Sequence, residues 1–267
     1  MAAFASNSLL CRAALAGRSI DAVSFTSIRL VSGALVLLAL ARGRTAGGGW
    51  IAAGALAGYA FGFSLAYLRL SAGTGALILF GTVQATLLLW GLARGERPTA
   101  PAWLGLLLAL GGLVALTLPG LTAPDPLGAA LMAGAGLSWG LYTVRGKGVA
   151  DPLAATSGNF VLSVSFAALA AVVVPAAGGR FHLSLPGAGL AAVSGALTSG
   201  LGYVLWYAAL RGLSGLQAAV VQISVAPMAA LGGVAFLGER LTPRLLACGA
   251  AVLGGIALAV SARRDAR

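Results

Sequence analysis

The chain has 267 residues, of which 59% are apolar and 9% are charged, and its formal net charge is +11. This composition is far from that of a soluble domain and is typical of a protein that crosses a membrane several times. A basic balance can also indicate nucleic-acid binding. Here, however, the charges stand in small groups at the ends of apolar runs and do not gather on one face or in a tail. The expected partner is therefore the lipid bilayer and not nucleic acid.

Ten apolar runs follow one another along the chain. They approach or exceed the length that spans a bilayer and do not alternate as the shorter strands of a membrane barrel do, so helices fit better. The predicted spanning segments are Met1–Gly17, Ala22–Ala41, Trp50–Tyr67, Gly73–Leu92, Pro101–Leu118, Leu127–Val144, Leu153–Val174, Gly187–Leu210, Leu216–Phe236 and Leu245–Val260. The sequence predicts an all-α integral membrane protein with ten transmembrane helices.

The first run is short. It has no basic region ahead of it, and Arg12 interrupts its apolar core, so we expect a helix and not a signal peptide. Its shortness leaves two interpretations open, an upstream start codon or a helix that begins deep in the membrane interface.

The chain contains an internal repeat. A shift of 143 residues lays the Gly-Glu-Arg triplet at 95–97 on the same triplet at 238–240, and Leu-Gly-Gly at 110–112 on 253–255. Five helices per repeat is an odd number, so the second copy enters the membrane upside down, with substrate held between the copies near the midplane. We expect two inverted five-helix repeats, residues 1–122 and 123–267.

The charges of the loops predict the orientation. With both termini in the cytoplasm, the cytoplasmic segments carry ten Lys or Arg residues and the external loops carry five, in agreement with the positive-inside rule. We therefore expect a multi-pass protein of the inner (cytoplasmic) membrane with both termini on the cytoplasmic side.

Small residues recur at helical spacing. Gly54, Gly58 and Gly62 stand four apart in the third run, and Gly136 and Gly140 do so in the sixth. This spacing lets helix backbones approach closely in lipid, although a chain with 40 glycines also produces it by chance. We expect close helix contacts at these positions.

The doubled pattern of a spanning helix, a Gly-Glu-Arg triplet and a Gly-rich helix resembles the EamA-type ten-helix branch of the drug/metabolite transporter superfamily. The matching residues are the triplets at 95–97 and 238–240, Pro227 ahead of the second triplet, and Ser138-Trp139-Gly140. The resemblance covers nearly the whole chain and implies a central cavity, with the fifth and tenth helices at the periphery. It implies transport of amino acids, metabolites, sugars or drugs without choosing among them. The proline that the family has in the fourth helix is absent, and Gln84 lies opposite Pro227, which argues against symmetric gating.

Arg29 stands eight residues into the second run, where a charged side chain is costly unless it faces a cavity or a partner. It is either a cationic contact for a substrate carboxylate or phosphate, or a snorkelling side chain at the outer interface that Asp21 neutralises. Arg12 allows the same two interpretations.

Polar and aromatic residues form shared helical faces in several runs. These faces are Thr156, Asn159 and Ser163; Thr82, Thr86 and Trp90; Ser138 and Tyr142; and Ser199, Tyr203 and Trp206. Gln84 and Gln222 are intramembrane amides that need hydrogen-bond partners. Each residue alone can serve helix–helix contact, but together they predict a polar and aromatic cavity. The candidate substrate-binding residues are Asn7, Arg12, Arg29, Thr82, Thr86, Trp90, Ser138, Tyr142, Asn159, Tyr203, Trp206 and Gln222.

Pro227 is the candidate hinge. In the middle of a predicted spanning helix it removes one backbone hydrogen bond and frees a carbonyl group. The alternative is an ordinary kink that the helix tolerates.

No enzyme or metal motif is found in the sequence. Both cysteines, Cys11 and Cys248, lie inside apolar runs, His182 is alone in a loop, and the six acidic residues fall at helix ends or in loops. We therefore expect no catalytic residue, no metal and no cofactor.

The expected function is secondary transport, as an exporter or facilitator, of a small polar or amphipathic metabolite such as an amino acid. The alternatives are a drug or lipid-linked substrate, a membrane-embedded transferase, and a non-transporting structural or sensor protein. The expected partners are a small-molecule substrate, the bilayer and, as an option, a second copy in a homodimer.

Overall fold

The computed structural model describes residues 1–95, 99–118, 120, 123–210, 221–222 and 224–261. Within these ranges the chain is helical and has no β-strand, although an isolated antiparallel bridge joins Ile20 to Leu183. The helices are α1 (Ala2–Ala16), α2 (Ala22–Leu40), α3 (Trp50–Tyr67), α4 (Ala72–Ala93), α5 (Ala100–Thr117), α6 (Pro126–Arg145), α7 (Pro152–Ala176), α8 (Leu185–Val193), the π-helical segment π1 (Ser194–Leu201), α9 (Gly202–Leu210), α10 (Val225–Leu237) and α11 (Pro243–Ser261).

Eight stretches of the described residues are long and apolar enough to cross a bilayer. One of them, Leu185–Trp206, runs from α8 through π1 into α9. The helices α1 and α10 are shorter, with 15 and 13 residues. The prediction of an all-α, multi-pass membrane protein is therefore confirmed, whereas eight spans and not ten reach full length in the described part of the chain.

Carboxylates begin several of the helices. Asp21 accepts hydrogen bonds from two N–H groups in the first turn of α2, at 3.0 and 2.8 Å, and Asp125 and Asp151 begin α6 and α7 in the same way. These oxygens satisfy N–H groups that have no partner inside the helix, and their charge suits the helix N-terminus. Neutralisation by Asp21 is part of the snorkelling interpretation of Arg29, and none of the ion pairs among the described residues joins these two side chains.

Glycines let α3 pack closely against its neighbours. A Cβ atom on Gly58 would lie 3.2 Å from Ser138 Oγ, and one on Gly62 would lie 3.2 Å from the carbonyl oxygen of Leu131. Gly54 faces a ring of α7 at 3.5 Å. The predicted close contact along this helix is confirmed.

The pair of glycines in α6 meets α4. A Cβ atom on Gly136 would lie 2.7 Å from Thr82 Cβ, and one on Gly140 would lie 2.6 Å from Thr86 Cγ2. This contact is also confirmed, and it means that both threonines are packed between two helices.

The helix contacts follow a regular pattern. Helix α1 packs against α10 as α6 packs against α4, and α2 packs against α8 and π1 as α7 packs against α3. Helices α5 and α11 pack mainly against each other: a Cβ atom on Gly105 would lie 2.5 Å from the carbonyl oxygen of Gly255, and one on Gly112 would lie 3.1 Å from that of Cys248.

The loops gather at two ends of the bundle. At the first, which we call the Glu239 end, Ser184 Oγ donates to the carbonyl oxygen of Ser19, and Arg69 Nη1 lies 3.3 Å from Asp125 Oδ2. At the second, which we call the Asp151 end, Arg44 Nη1 lies 2.8 Å from Asp151 Oδ2.

Pro227 lies in the first turn of a helix, because α10 begins at Val225. A residue in the first turn has no intrahelical acceptor for its N–H, so a proline there removes no hydrogen bond of that helix. The predicted mid-helix position is therefore not found in α10, and the hinge remains a prediction.

Candidate substrate-binding site

Arg29 is buried near the middle of α2. The residue is 2% exposed, its Nε donates to Ser199 Oγ at 3.0 Å, and its Nη2 donates to Tyr59 Oη at 3.0 Å. Its Nη1 has no hydrogen-bond partner in the described part of the chain. A snorkelling side chain would reach the interface and be exposed there, so that interpretation is wrong.

Aromatic rings take the place of a counter-ion around Arg29. Its guanidinium carbon lies 5.1 Å from the ring centre of Tyr59 and 5.2 Å from that of Phe63, within the range of cation–π attraction. None of the ion pairs formed among the described residues includes Arg29. A buried charge without an opposite charge is unfavourable, so Nη1 is suited to an anionic ligand.

A chain of side-chain hydrogen bonds holds this arrangement together. Asn7 Nδ2 donates to Tyr59 Oη at 3.3 Å, while Asn7 Oδ1 accepts from Ser194 Oγ at 2.6 Å and from Thr198 Oγ1 at 3.2 Å. Ser194 and Thr198 both belong to π1, as does Ser199, the partner of Arg29. The π-helical geometry, which is rare and often found at functional sites, turns three hydroxyl groups toward α1 and α2.

Three residues of this network were not predicted from the sequence. They are Tyr59 and the two residues whose hydroxyl groups bind Asn7. Ser194 and Thr198 precede the predicted face of Ser199, and Tyr59 stands in an apolar run of the third helix. In the sequence, each of them is only a hydroxyl group inside an apolar run. Hydroxyl groups that serve helix–helix contacts occur in the same setting, so the pattern does not identify a binding site.

A narrow central cavity is lined by Tyr59 and Phe63, the two aromatic residues that contact the Arg29 guanidinium. Its lining includes Asn7, Tyr59, Trp139, Tyr203 and Gln222, and its volume is about 20 Å³, roughly the space that one water molecule needs. The bundle is therefore closed around this point. The predicted need of the intramembrane amides for partners is met, since Gln84 Nε2 donates to Gln222 Oε1 at 3.4 Å.

A larger cavity lies toward the Asp151 end. We call it the vestibule; its lining includes Leu37, Asp151, Thr156, Tyr203 and Val204, and its volume is about 150 Å³. Asp151 is partly exposed at this end, with 39% of its side chain accessible.

Arg12 connects several segments at the Glu239 end of the bundle. Its Nε lies 3.1 Å from Glu239 Oε1, and its Nη1 donates to the carbonyl oxygen of Tyr67 at 2.8 Å. Glu239 Oε2 accepts from the N–H of Ala72 at 2.8 Å. Neither of the two interpretations of Arg12 included this pairing, which joins α1 to the start of α4 and the loop before α11.

Several candidate residues lie away from Arg29. Thr82 and Thr86 are packed against α6, as described above, and Trp90 is 37% exposed with the guanidinium of Arg94 5.1 Å from its ring centre. Asn159 Oδ1 accepts from the N–H of Gly49 at 2.9 Å and so holds the loop before α3.

The remaining candidates lie near the cavities without completing one face. Ser138 packs against α3, Tyr142 is buried with its ring 5.3 Å from that of Trp139, and Trp206 meets the ring of Phe4 edge-on at 6.1 Å. The structure thus brings Asn7, Tyr203 and Gln222 of the predicted set together around one cavity, and it connects Arg29 to that cavity through Tyr59.

Comparison with known families identifies the chain. The family model described as EamA-like transporter family matches residues 126–261, which is half of the chain. The chain belongs to the EamA-like transporter family. It is therefore a membrane transporter of the drug/metabolite superfamily. Proteins of this class lie in the lipid bilayer and transport small molecules.

Other proteins resemble this EamA-like transporter to different extents. An uncharacterized protein of Pseudomonas aeruginosa is 57% identical, covering 98% of this chain and 92% of its own length. The threonine/homoserine exporter RhtA of Escherichia coli is 29% identical over 54% of this chain and 48% of its own. A solved crystal structure shares the fold with a TM-score of 0.66 at 21% identity, over 97% of this chain and 96% of that one.

Proposed function

We propose that this chain is a secondary transporter, working as an exporter or facilitator, that moves a small polar or amphipathic metabolite such as an amino acid across the cytoplasmic membrane. The observation that carries the proposal is the buried guanidinium of Arg29, whose Nη1 has no partner and whose neighbours in the described chain are hydroxyl groups and aromatic rings. Guanidinium groups bind carboxylates and phosphates through strong, charge-assisted hydrogen bonds. An anionic group of the substrate is thus the counter-ion that Arg29 lacks.

The walls of the central cavity, which Tyr59 connects to Arg29, suit the rest of such a molecule. The ring centres of Tyr59 and Trp139 are 4.8 Å apart, and those of Trp139 and Tyr203 are 5.2 Å apart. These rings combine apolar faces with polar edges. Asn7 and Gln222 add amide groups. We propose these residues, with Arg29, as the binding site.

We further propose ten transmembrane helices in two inverted five-helix repeats, residues 1–122 and 123–267, with α8, π1 and α9 forming one helix. A shift of 143 residues carries Gly105 to Cys248 and Gly112 to Gly255. The contact of Gly105 with Gly255 therefore becomes the contact of Cys248 with Gly112, and both are close. The matched pairs α1–α10 and α6–α4 support the same two-fold relation.

The proposed orientation has both termini and the Asp151 end in the cytoplasm. It is supported by the greater number of Lys and Arg residues in the segments on that side. The vestibule then lies on the cytoplasmic side, where an exporter collects its substrate. RhtA, which matches about half of this chain, is named as a threonine/homoserine exporter. That name supports an amino acid as the substrate and outward movement as the direction of transport.

A drug or lipid-linked substrate is the second candidate. The sizes of the two cavities, about 20 and 150 Å³, favour a smaller molecule over a lipid-linked one. A transferase finds less support, because the members of this family are transporters. The homodimer stays part of the proposal and is tested by the mass of the detergent-solubilised protein.

The function is tested without choosing a substrate beforehand. Cells that express the chain and cells that express Arg29→Ala at the same membrane abundance are compared for metabolites inside the cells and in the medium. We expect the intact chain, and not the variant, to raise the concentration in the medium of one class of small molecules that bear a carboxylate or a phosphate. Equal metabolite profiles in the two cultures would contradict the proposal.

A further inference from the structure

Tyr203 lies between the two cavities. It is 3% exposed, and it lines both the central cavity and the vestibule. Among the described residues, no other one lines both cavities. We propose that Tyr203 is the partition between them, and that its ring determines which molecules pass from the vestibule to Arg29.

Aromatic packing holds the ring of Tyr203 in this position. Its ring centre lies 5.2 Å from that of Trp139, 5.8 Å from that of Phe160 and 5.9 Å from that of Phe4. These rings belong to α6, α7 and α1, so three helices converge on one side chain. Such contacts define the position of a ring but are individually weak, so the ring moves at a small cost when a neighbouring helix shifts.

The cavity volumes make such a movement necessary. The central cavity, at about 20 Å³, holds roughly one water molecule, whereas the vestibule, at about 150 Å³, accepts a small organic molecule. A molecule in the vestibule enters the central cavity, which Tyr59 connects to Arg29, only if the space beside Tyr203 widens. Tyr203 is thus a specificity-determining residue as well as a barrier, because it limits the width of what passes.

The backbone around Tyr203 connects the partition to Arg29. Tyr203 is the second residue after the end of π1 and stands four residues after Ser199, so the two side chains share one side of the helix. Ser199 accepts a hydrogen bond from Arg29 Nε. Since π-helical segments concentrate distortion, a shift of π1 moves the partner of Arg29 and the partition together.

Cysteine accessibility tests the partition directly. The full chain with Cys11→Ser and Cys248→Ser receives one reporter, either Ser8→Cys in the central cavity or Thr156→Cys in the vestibule. The detergent-solubilised protein is treated with a small thiol reagent, and the rate of labelling is measured. Each reporter is combined with Tyr203, Tyr203→Phe, Tyr203→Leu and Tyr203→Ala.

We expect Thr156→Cys to react at one rate in all four backgrounds. Ser8→Cys should react slowly with Tyr203 and Tyr203→Phe, and about tenfold faster or more with Tyr203→Ala. Tyr203→Leu should fall between them, and it keeps the test valid if the alanine variant does not fold. Equal labelling of Ser8→Cys in every folded background would overturn the partition.

The partition rests on the proposed function only in that the molecule that passes Tyr203 is taken to be the transported one. Labelling requires no transported molecule, so a chain that transports nothing would still report whether Tyr203 separates the cavities. A partition without transport and transport without a partition are therefore distinguishable results.

Discussion

Arg12 and Glu239 are 227 positions apart in the sequence, and their side chains form an ion pair with an Nε–Oε1 distance of 3.1 Å. Only 23% of the Arg12 side chain and 14% of the Glu239 side chain are exposed. The pair joins the first helix to the loop before the last described helix, and Glu239 also holds the start of α4 through Ala72. The pair therefore holds α1, the start of α4 and the loop before α11 together at the Glu239 end, and we expect a transport cycle that opens this end to break it.

Weakening this pair should favour the state that is open at the Glu239 end. A hydrogen bond between charged groups contributes about 1.5–3 kcal/mol, so Glu239→Gln should increase the open population about 10- to 100-fold. The measurement is the rate at which Ser8→Cys reacts with a thiol reagent added on that side. Arg69→Gln is the matched control, because the Arg69–Asp125 pair at the same end is more exposed and should matter little.

The combination of Arg12→Gln with Glu239→Gln tests whether the two residues act as a pair. If they do, the double variant should open little more than either single one, because the interaction is lost only once. Effects that simply add, or that equal the effect of Arg69→Gln, would show that the ion pair does not hold this end closed.

Replacing Arg29 should affect transport according to the donor groups that remain. Arg29→Ala removes the charge and should lower transport about 10-fold or more, whereas Arg29→Lys keeps the charge but not the fork of donors and should lower it less. Transport is measured at equal membrane abundance. Arg94→Ala serves as the control, since Arg94 is exposed and stacks on Trp90. Equal activity of Arg29, Arg29→Lys and Arg29→Ala would mean that Arg29 does not contact substrate.

The inverted topology predicts that Thr99 and Thr242 lie on opposite sides of the membrane. Cysteines introduced at these positions, in a background without Cys11 and Cys248, are labelled with an impermeant reagent in intact cells. Thr242→Cys should react directly, and Thr99→Cys should react only after the membrane is opened. Labelling of both from the same side would be incompatible with inverted five-helix repeats.

Two glycines of α6 should respond differently to the same substitution. A Cβ atom on Gly136 would lie 2.7 Å from Thr82 Cβ and 2.9 Å from a backbone oxygen, so Gly136→Ala should destabilise the protein by about 1–3 kcal/mol. Gly134 has no atom within 4 Å of such a Cβ, so Gly134→Ala should be neutral or stabilise by about 0.5–1 kcal/mol. Thermal unfolding in detergent measures both. Similar unfolding temperatures would refute the close α4–α6 contact.

The sequence by itself determined the fold class and much of the packing. Long apolar runs must become helices, because only a helix satisfies its own backbone groups in lipid without a neighbouring strand. The spacing of Gly58 and Gly62 predicted a close helix contact for a similarly local reason, since a stripe of small residues permits one wherever it meets another helix.

The tertiary structure alone decided which polar residues meet. Helical periodicity predicted that Thr82 and Thr86 share a face, but not that this face packs against Gly136 and Gly140. It identified Arg29 as unusual, yet its partner Ser199 is 170 positions away. The spacing along one helix defines a direction around that helix only. What lies in that direction depends on how the helices are arranged around one another, and for Arg29 that arrangement decides between exposure at the interface and burial beside a cavity.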